Sequence, residues 1–311
     1  MIKTVLGMGT AAMDTVLQCQ TLPKADAFEI LQGEQLLSGG SCANMLVTLA
    51  QLGMHAKQIA KIGDDMYGQR FRQELVADGV DDSLLMTNLG GSTLHTYILA
   101  AADGQHCIFA NMGNSLMHLL PEEIKPEMLN GVDLFYTDLF PCRAAKRMAE
   151  LCEERNIPVI VCLQCPPDIM ERIQVSKAEI LEMISRADLF ISGRDGYMQL
   201  TGESDYQKAV QLLYQEYPLA NGMVCTAGGD GSVWMSENGL LTAGTYEVQA
   251  VDTTGAGDCF LGGLIYDYYH KGKSRQEAMD FASAIAAIKC TQLGPRIRST
   301  EQDVLALMNI K

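Results

Sequence analysis

An α/β fold wound around a mostly parallel sheet, with a small β-sheet set outside it, is predicted by three observations. Short apolar runs alternate with amphipathic stretches over most of the 311 residues, the pattern of repeated βα units. Strand-like runs at residues 132–137, 158–163, 189–192 and 222–226 are apolar at nearly every position, which fits burial on both faces. Two stretches, of about 14–37 and about 91–110, break the rhythm and carry strand-like pieces without a helical stripe. A single domain over residues 1–311 is expected, because α/β units often run to this length.

Taken in order, residues 2–6 read as the first strand. Lys3 and Asp14 flank that short apolar stretch, which lacks the h-region and cleavage site of a signal peptide. The following Gly7-Met8-Gly9-Thr10-Ala11-Ala12 matches the G-x-G-x-x-A form of a dinucleotide fingerprint, with Asp26 and Glu29 at a tolerable distance. Such a fingerprint should open a helix; residues 13–20 carry no helical stripe and Pro23 follows soon after, so this reading ranks third. Residues 28–31, 93–101 and 106–110 look like strands, the last two joined as a hairpin around Ala102-Asp103-Gly104. Residues 142–156 and 204–217 place apolar side chains at helical spacing. Residues 260–270 and 275–291 read as two long helices, the second Ala-rich and suited to close packing against a neighbour.

Composition narrows the function. A formal charge of −15 argues against nucleic acid or an anionic membrane as the main partner, since both need clustered Lys and Arg. No run of about 18 apolar residues is present, so no membrane span is expected. Ten Cys without regular spacing fit reduced, mostly buried small hydrophobes of a cytoplasmic protein. Cys162-Leu163-Gln164-Cys165 has redox or metal spacing, but it stands without a second pair or a His at ligand spacing, and packing is the better account. None of the five His sits in a ligand or triad arrangement.

The chemistry concentrates in Asp252-Thr253-Thr254-Gly255-Ala256-Gly257-Asp258, ahead of a long apolar stretch. Small residues and glycines at the entry to a helix leave backbone N–H groups unshielded, and the helix dipole there favours an anion. Asp258, in the first helical turn beside that anion, is placed to take a proton from an attacking hydroxyl. An ordinary capped, glycine-rich turn would explain one Asp and one Gly, but not two Asp bracketing TTGAG.

This run, followed by Cys259 and Phe260, resembles the C-terminal signature of the ribokinase-like carbohydrate kinases, the PfkB family. Gly39-Gly40-Ser41-Cys42-Ala43-Asn44, continuing through Leu49-Ala50 to Leu52-Gly53, is similar to that family's N-terminal signature, and Gly63-Asp64-Asp65 with Gly68 to the segment after it. The three matches come in the family's order and cover the chain to roughly residue 296. The resemblance implies a ribokinase-like three-layer sandwich in which the regions 14–37 and 91–110 form a lid over the phosphoryl acceptor. It implies that Asp14, Gly39, Gly40 and Asn44 bind acceptor hydroxyls, where the residues alone would read as turn formers and a helix-start cap. Thr226, Gly228 and Gly231, in the glycine-rich loop after the strand 222–226, look like the loop that meets ATP phosphates and ribose. Ser283 resembles a residue beside the adenine.

The implied activity is transfer of the ATP γ-phosphoryl group to a hydroxyl of a sugar or nucleoside. Asp258 is the base, the amides of Gly255, Ala256 and Gly257 stabilise developing charge, and Asp252 orders the loop. Mg²⁺ bridges the phosphates and keeps much of its water, so no dedicated cage need be visible. Some members also bind a monovalent cation beside this loop; nothing in the sequence establishes one. The chain departs from the family at Gly193-Arg194-Asp195-Gly196, where an Asn-x-x-Glu element is usual. Asp195 could substitute for the missing Glu, and Arg194 could meet phosphate as a fork of donors. That loss favours an alternative, a weak or inactive member that binds a sugar or nucleoside as a sensor or regulatory module. A homodimer through exposed lid edges is expected in either case.

Overall fold

The computed structural model describes residues 1–102 and 105–309 of the chain. Among them the strands are β1 Thr4–Met8, β2 Ala12–Cys19, β3 Gly33–Gly39, β4 His55–Gly63, β5 Leu85–Asn88, β6 His95–Ala101, β7 His106–Asn111, β8 Leu134–Thr137, β9 Val159–Leu163, β10 Leu189–Gly193, β11 Gly222–Thr226, β12 Ser232–Ser236 and β13 Gly239–Ala243. The α-helices are α1 Ser41–Gln51, α2 Met66–Ala77, α3 Cys142–Arg155, α4 Pro167–Arg172, α5 Lys177–Ser185, α6 Arg194–Thr201, α7 Tyr206–Glu216, α8 Ala256–Leu264, α9 Arg275–Cys290 and α10 Glu301–Met308.

The main sheet runs in the order β13-β12-β11-β10-β9-β8-β1-β4-β5 and is parallel from β5 to β11, with β12 and β13 antiparallel. Its central strands are buried at almost every position, as their continuous hydrophobicity predicts. β1 lies between β4 on one side and β8 on the other, so the winding direction reverses there. In open α/β sheets ligands bind outside the carboxyl ends of the strands at such a switch point. Thr10, Asp138, Gln164 and Thr226 all lie at these ends.

The second sheet, in the order β3-β2-β6-β7, is the small sheet expected from residues 14–37 and 91–110. β2 leaves β1 through a three-residue turn and pairs parallel with β6, while β6 and β7 pair antiparallel around the expected hairpin. Of that hairpin's turn, Asp103 and Gly104 lie outside the described residues. Because a strand, β2, follows residues 9–11, the glycine-rich start of the chain is no dinucleotide fingerprint: the helix that would carry the pyrophosphate is absent there. Residues 28–31 are also not a strand; they lie in the connection between β2 and β3, with Phe28 89 % and Ile30 73 % exposed. Their apolar run mimics a strand without a partner to pair with.

The long helix expected over residues 260–270 starts earlier, at Ala256, and continues from Ile265 to His270 as a π-helix. α8 and the Ala-rich α9 pack as closely as expected: a Cβ on Gly263 would stand 3.2 Å from the Ala282 Cα and 2.6 Å from Ile285 Cγ2.

Candidate active site

α8 begins at Gly255, whose φ of 77° lies in the left-handed region and whose Cβ would stand 2.1 Å from the Pro295 carbonyl oxygen. Both facts demand glycine. The amide of Ala256 turns back onto the Thr253 carbonyl at 3.2 Å, so it is partly committed within the loop. The Gly255 and Gly257 amides have no internal partner among the described residues, and nothing stands near the Cβ position of Gly257. The anion cradle foreseen at residues 255–257 therefore rests chiefly on the two glycines. Asp252 ties the loop down: its carboxylate accepts from the Thr254 amide at 2.9 Å and from the Gly294 amide at 2.9 Å.

Asp258 stands one residue past the cradle and reaches across to α1. One carboxylate oxygen accepts from the Ser41 hydroxyl, the other from Asn44 Nδ2 at 2.8 Å. Asn44 thus lies inside α1, whose cap is Gly40, and its side chain serves the carboxylate and not the helix end. Its other amide atom, Oδ1, is buried without a partner. Burial pushes the Asp258 carboxyl up to about 6, with the donated hydrogen bonds of Ser41 and Asn44 pulling it down and the nearby carboxylates of Asp138 and Asp14 pushing it up.

Asp138 follows β8 and is fully buried. It accepts from the Thr10 amide at 2.9 Å, the Thr10 hydroxyl at 2.7 Å, the Phe140 amide at 3.1 Å and the Cys42 amide at 3.3 Å. Burial raises it to about 6 as well. It joins the turn after β1, the start of α1 and the end of β8, which are the walls on which Asp258 is mounted. Gly40 seals the same junction: with φ 91°, its Cβ would stand 2.5 Å from the Thr10 carbonyl oxygen.

Two clefts flank the Asp252–Asp258 loop. One, of about 440 Å³, opens between the loop and the small sheet. Strand alternation places Asp14, Val16 and Gln18 of β2, Leu37 of β3, Ile98 and Ala100 of β6 and Ile108 of β7 along it, and the strand registers make them neighbours on one face. Asp14 is raised by burial, partly offset by the Thr96 hydroxyl, which donates to it at 2.6 Å, and by the charge of Arg296. Gly39 backs it, since a Cβ there would stand 2.0 Å from Asp14 Oδ2. No Lys or Arg lines this cleft among the described residues.

The other cleft, of about 470 Å³, brings together Thr226, Gly228, Gly231 and Ser283 with Tyr246, Phe260 and Ala287. Nothing stands near the Cβ positions of Gly228 and Gly229, so that loop presents bare backbone. Thr253 lines both clefts, and a smaller cavity of about 230 Å³, lined by Ser41, Gln164, Thr226, Gly257 and Asp258, adjoins the second cleft through Thr226 and Gly257.

Arg194 is directed onto Asp230 at 2.8 Å across the neighbouring cavity, so its guanidinium is already paired. Asp195 is exposed at the rim of that cavity. A side chain at Gly196 would stand 2.0 Å from Ser192 Oγ, whereas Gly193 faces open space. A side chain at Gly196 would therefore require Ser192 to give up its hydroxyl position, in which it donates to the Leu163 carbonyl. Ser41, Thr96 and Asp138 were not singled out from the sequence; Ser41 lay inside the quoted Gly39–Asn44 run, and a lone Asp after a buried strand was the one signal for Asp138.

The pfkB family carbohydrate kinase model matches residues 5–302 of the chain. Fructokinase-1 of Oryza sativa subsp. japonica is 30 % identical over 290 residues, covering 87 % of this chain and 88 % of that protein. The ATP-dependent ribose-1-phosphate kinase of Halopiger xanaduensis is 28 % identical over 307 residues and covers 98 % of both. A crystal structure of a putative ribokinase II from E. coli in complex with ATP and Mg²⁺ superposes with a TM-score of 0.86 at 18 % identity, covering all of both chains, a likeness of fold.

Proposed function

We propose, since the chain belongs to the pfkB family of carbohydrate kinases, that it transfers the γ-phosphoryl group of ATP to a hydroxyl of a sugar or nucleoside. The observation that carries this reading is the Asp258 carboxylate in the first turn of α8, in the small cavity that adjoins the second cleft and beside the bare amides of Gly255 and Gly257. A carboxylate held by two donors beside two unpaired amides is suited to take a proton from a hydroxyl next to a bound phosphoryl group.

The acceptor lies in the cleft under the small sheet, with Asp14 and Gln18 accepting and donating to its hydroxyls and Val16, Leu37 and Ile98 against its apolar faces. Asn44 and Ser41 fix the Asp258 carboxylate, and Asp258 takes the proton of the attacking hydroxyl. The Gly255 and Gly257 amides donate to the phosphoryl oxygens as charge shifts onto them. The glycine-rich loop at Gly228–Asp230 and the Ser283 side of α9 take the nucleotide, for which the bare backbone and apolar walls are a fitting cradle. Mg²⁺ entering with the nucleotide would neutralise charge between the phosphates, and Asp195, exposed at the rim of the neighbouring cavity, is the carboxylate that would meet it.

The absence of cations from the acceptor cleft favours an uncharged acceptor over a phosphosugar. Phe109, 63 % exposed on the outer strand of the small sheet, suits a homodimer formed through the lid. A cytoplasmic location fits the ten free cysteines, and the charge of −15 disfavours nucleic acid or an anionic membrane as partner; no helix among the described residues is long and apolar enough to cross a membrane.

The test is ADP release with Mg-ATP against pentoses, hexoses, sugar acids and nucleosides, run beside Asp258→Asn. One acceptor that gives turnover in the wild type and collapses in the variant supports the kinase. Equal silence, with an acceptor still raising Tm, would instead support the binding module.

A further inference from the structure

Lys289, in the last turn of α9, has no solvent exposure. A buried ammonium is costly unless its donors are met, and its pKa is pushed down by that burial, with the Asp252 carboxylate pulling it back up. Its partners are main-chain oxygens: Nζ donates to the Asp252 carbonyl at 2.7 Å and to the Gln292 carbonyl at 3.4 Å. Those two carbonyls belong to the two segments that make the anion cradle. Asp252 opens the Asp252–Asp258 loop, and the turn from Gln292 to Pro295 backs it, through the Gly294 amide on Asp252 and the Pro295 carbonyl pressed against Gly255. The backbone of Val251 and Asp252 adds bonds to the Cys290 carbonyl at 2.7 and 3.1 Å, so the end of α9 and the loop move together.

Carbonyl oxygens converging on one positive centre are the surroundings that an alkali ion asks for. Here the positive centre is carried by the chain itself. The monovalent cation that the sequence resemblance allowed for does not fit beside the Asp252 and Gln292 carbonyls, because an ammonium already bonds to both. We propose that Lys289 is the resident cation of this site, a positioning residue that fixes the phosphate cradle through the Asp252 and Gln292 carbonyls and makes the protein indifferent to exchangeable monovalent cations. The inference rests on the kinase reading for its kinetic arm only.

The experiment compares wild type, K289A and K289M in potassium, ammonium or tetramethylammonium chloride at equal ionic strength, reading Tm and Mg-ATP turnover. The wild type is expected to have the same Tm and turnover in all three salts. K289A leaves room at the carbonyls: it is expected to lose about a hundredfold in kcat, as removal of a preorganising electrostatic group does, and to regain turnover and Tm in potassium or ammonium but not in tetramethylammonium. K289M fills the space without charge and should lose kcat with no rescue, which separates the charge from mere packing. A wild type activated or stabilised by potassium overturns the proposal, and so does K289M with unimpaired kcat. Should K289A fail to fold, the wild-type salt series and K289M still decide. Should no acceptor yield ADP with any of the proteins, the kinase reading fails while the Tm series continues to test the cation.

Discussion

The two walls of the cleft under the small sheet are built on different terms. On the core side, Asp252, Thr253 and Thr254 line it, the start of a loop that works through backbone beyond the cleft: two glycine amides, a left-handed Gly255 and a carboxylate fixed by two donors from α1. On the lid side the working parts are side chains on one face of a small sheet, Asp14 and Gln18 among Val16, Leu37, Ile98 and Ile108, on strands whose other face is partly exposed. Backbone machinery leaves few ways to change a residue and keep the geometry. A sheet face can exchange every second side chain without disturbing its hydrogen bonds, so the lid can change its acceptor while the core keeps its chemistry.

Substitutions on the two walls should therefore fail differently. The largest effect is expected from Asp258→Asn, a fall in kcat of about 10³ to 10⁴ with little change in nucleotide affinity, measured by coupled ADP release. The wild type should sharpen this through its pH profile. Asp258 takes up a proton near pH 6, so kcat/KM should fall as pH drops through about 6. The stability sign is opposite. The folded carboxyl binds its proton more tightly than the ordinary 3.8 of the unfolded chain, so its charge costs stability fully above about 6 and progressively less toward 3.8. Asp258→Asn should accordingly melt higher than wild type at neutral pH, and the gap should close by pH 4, as followed by calorimetry.

Next in size is Gly255→Ala, where a Cβ meets the Pro295 carbonyl and φ is 77°. We expect about 10² in kcat, since a cradle donor is displaced, and about 1–3 kcal/mol in stability from the strain. On the lid, Asp14→Ala should raise the acceptor KM by about tenfold to a hundredfold, the worth of a hydrogen bond to a charged group, while the nucleotide KM stays unchanged. An equal loss in both KM values would mean that the two walls are not separable. The smallest effect is expected for Ile108→Ser, 56 % exposed in the free protein: a shift in preference among acceptors of about threefold, at constant kcat, from one partly buried apolar contact.

The parts of this architecture that obey local rules could be read from the chain. Gly255, Gly257 and Asp258 announce themselves because a helix start must bare its amides, and the doubly buried strands because they are apolar throughout. Asp14, Gly39, Gly40 and Asn44 came from resemblance, and the fold gathers them near Asp258. What escaped reading depends on which elements meet. Asp138 is recognisable as special only when Thr10, Cys42 and Phe140 converge on it, and Lys289 only when the carbonyls of two loops do. Arg194 reads as a donor for phosphate, and only the fold shows that Asp230, 36 residues away, stands beside it at 2.8 Å. Residues 28–31 misled in the reverse direction, having a strand's composition but no neighbouring strand.

The bond between Ser41 and Asp258 joins residues 217 positions apart. A chain emerging from the ribosome completes α1 long before α8 exists, and until α8 docks, Asp258 has neither of the donors that orient it. The C-terminal half of the chain, which carries the cradle and the second cleft, therefore has no oriented carboxylate until the N-terminal half supplies Ser41 and Asn44.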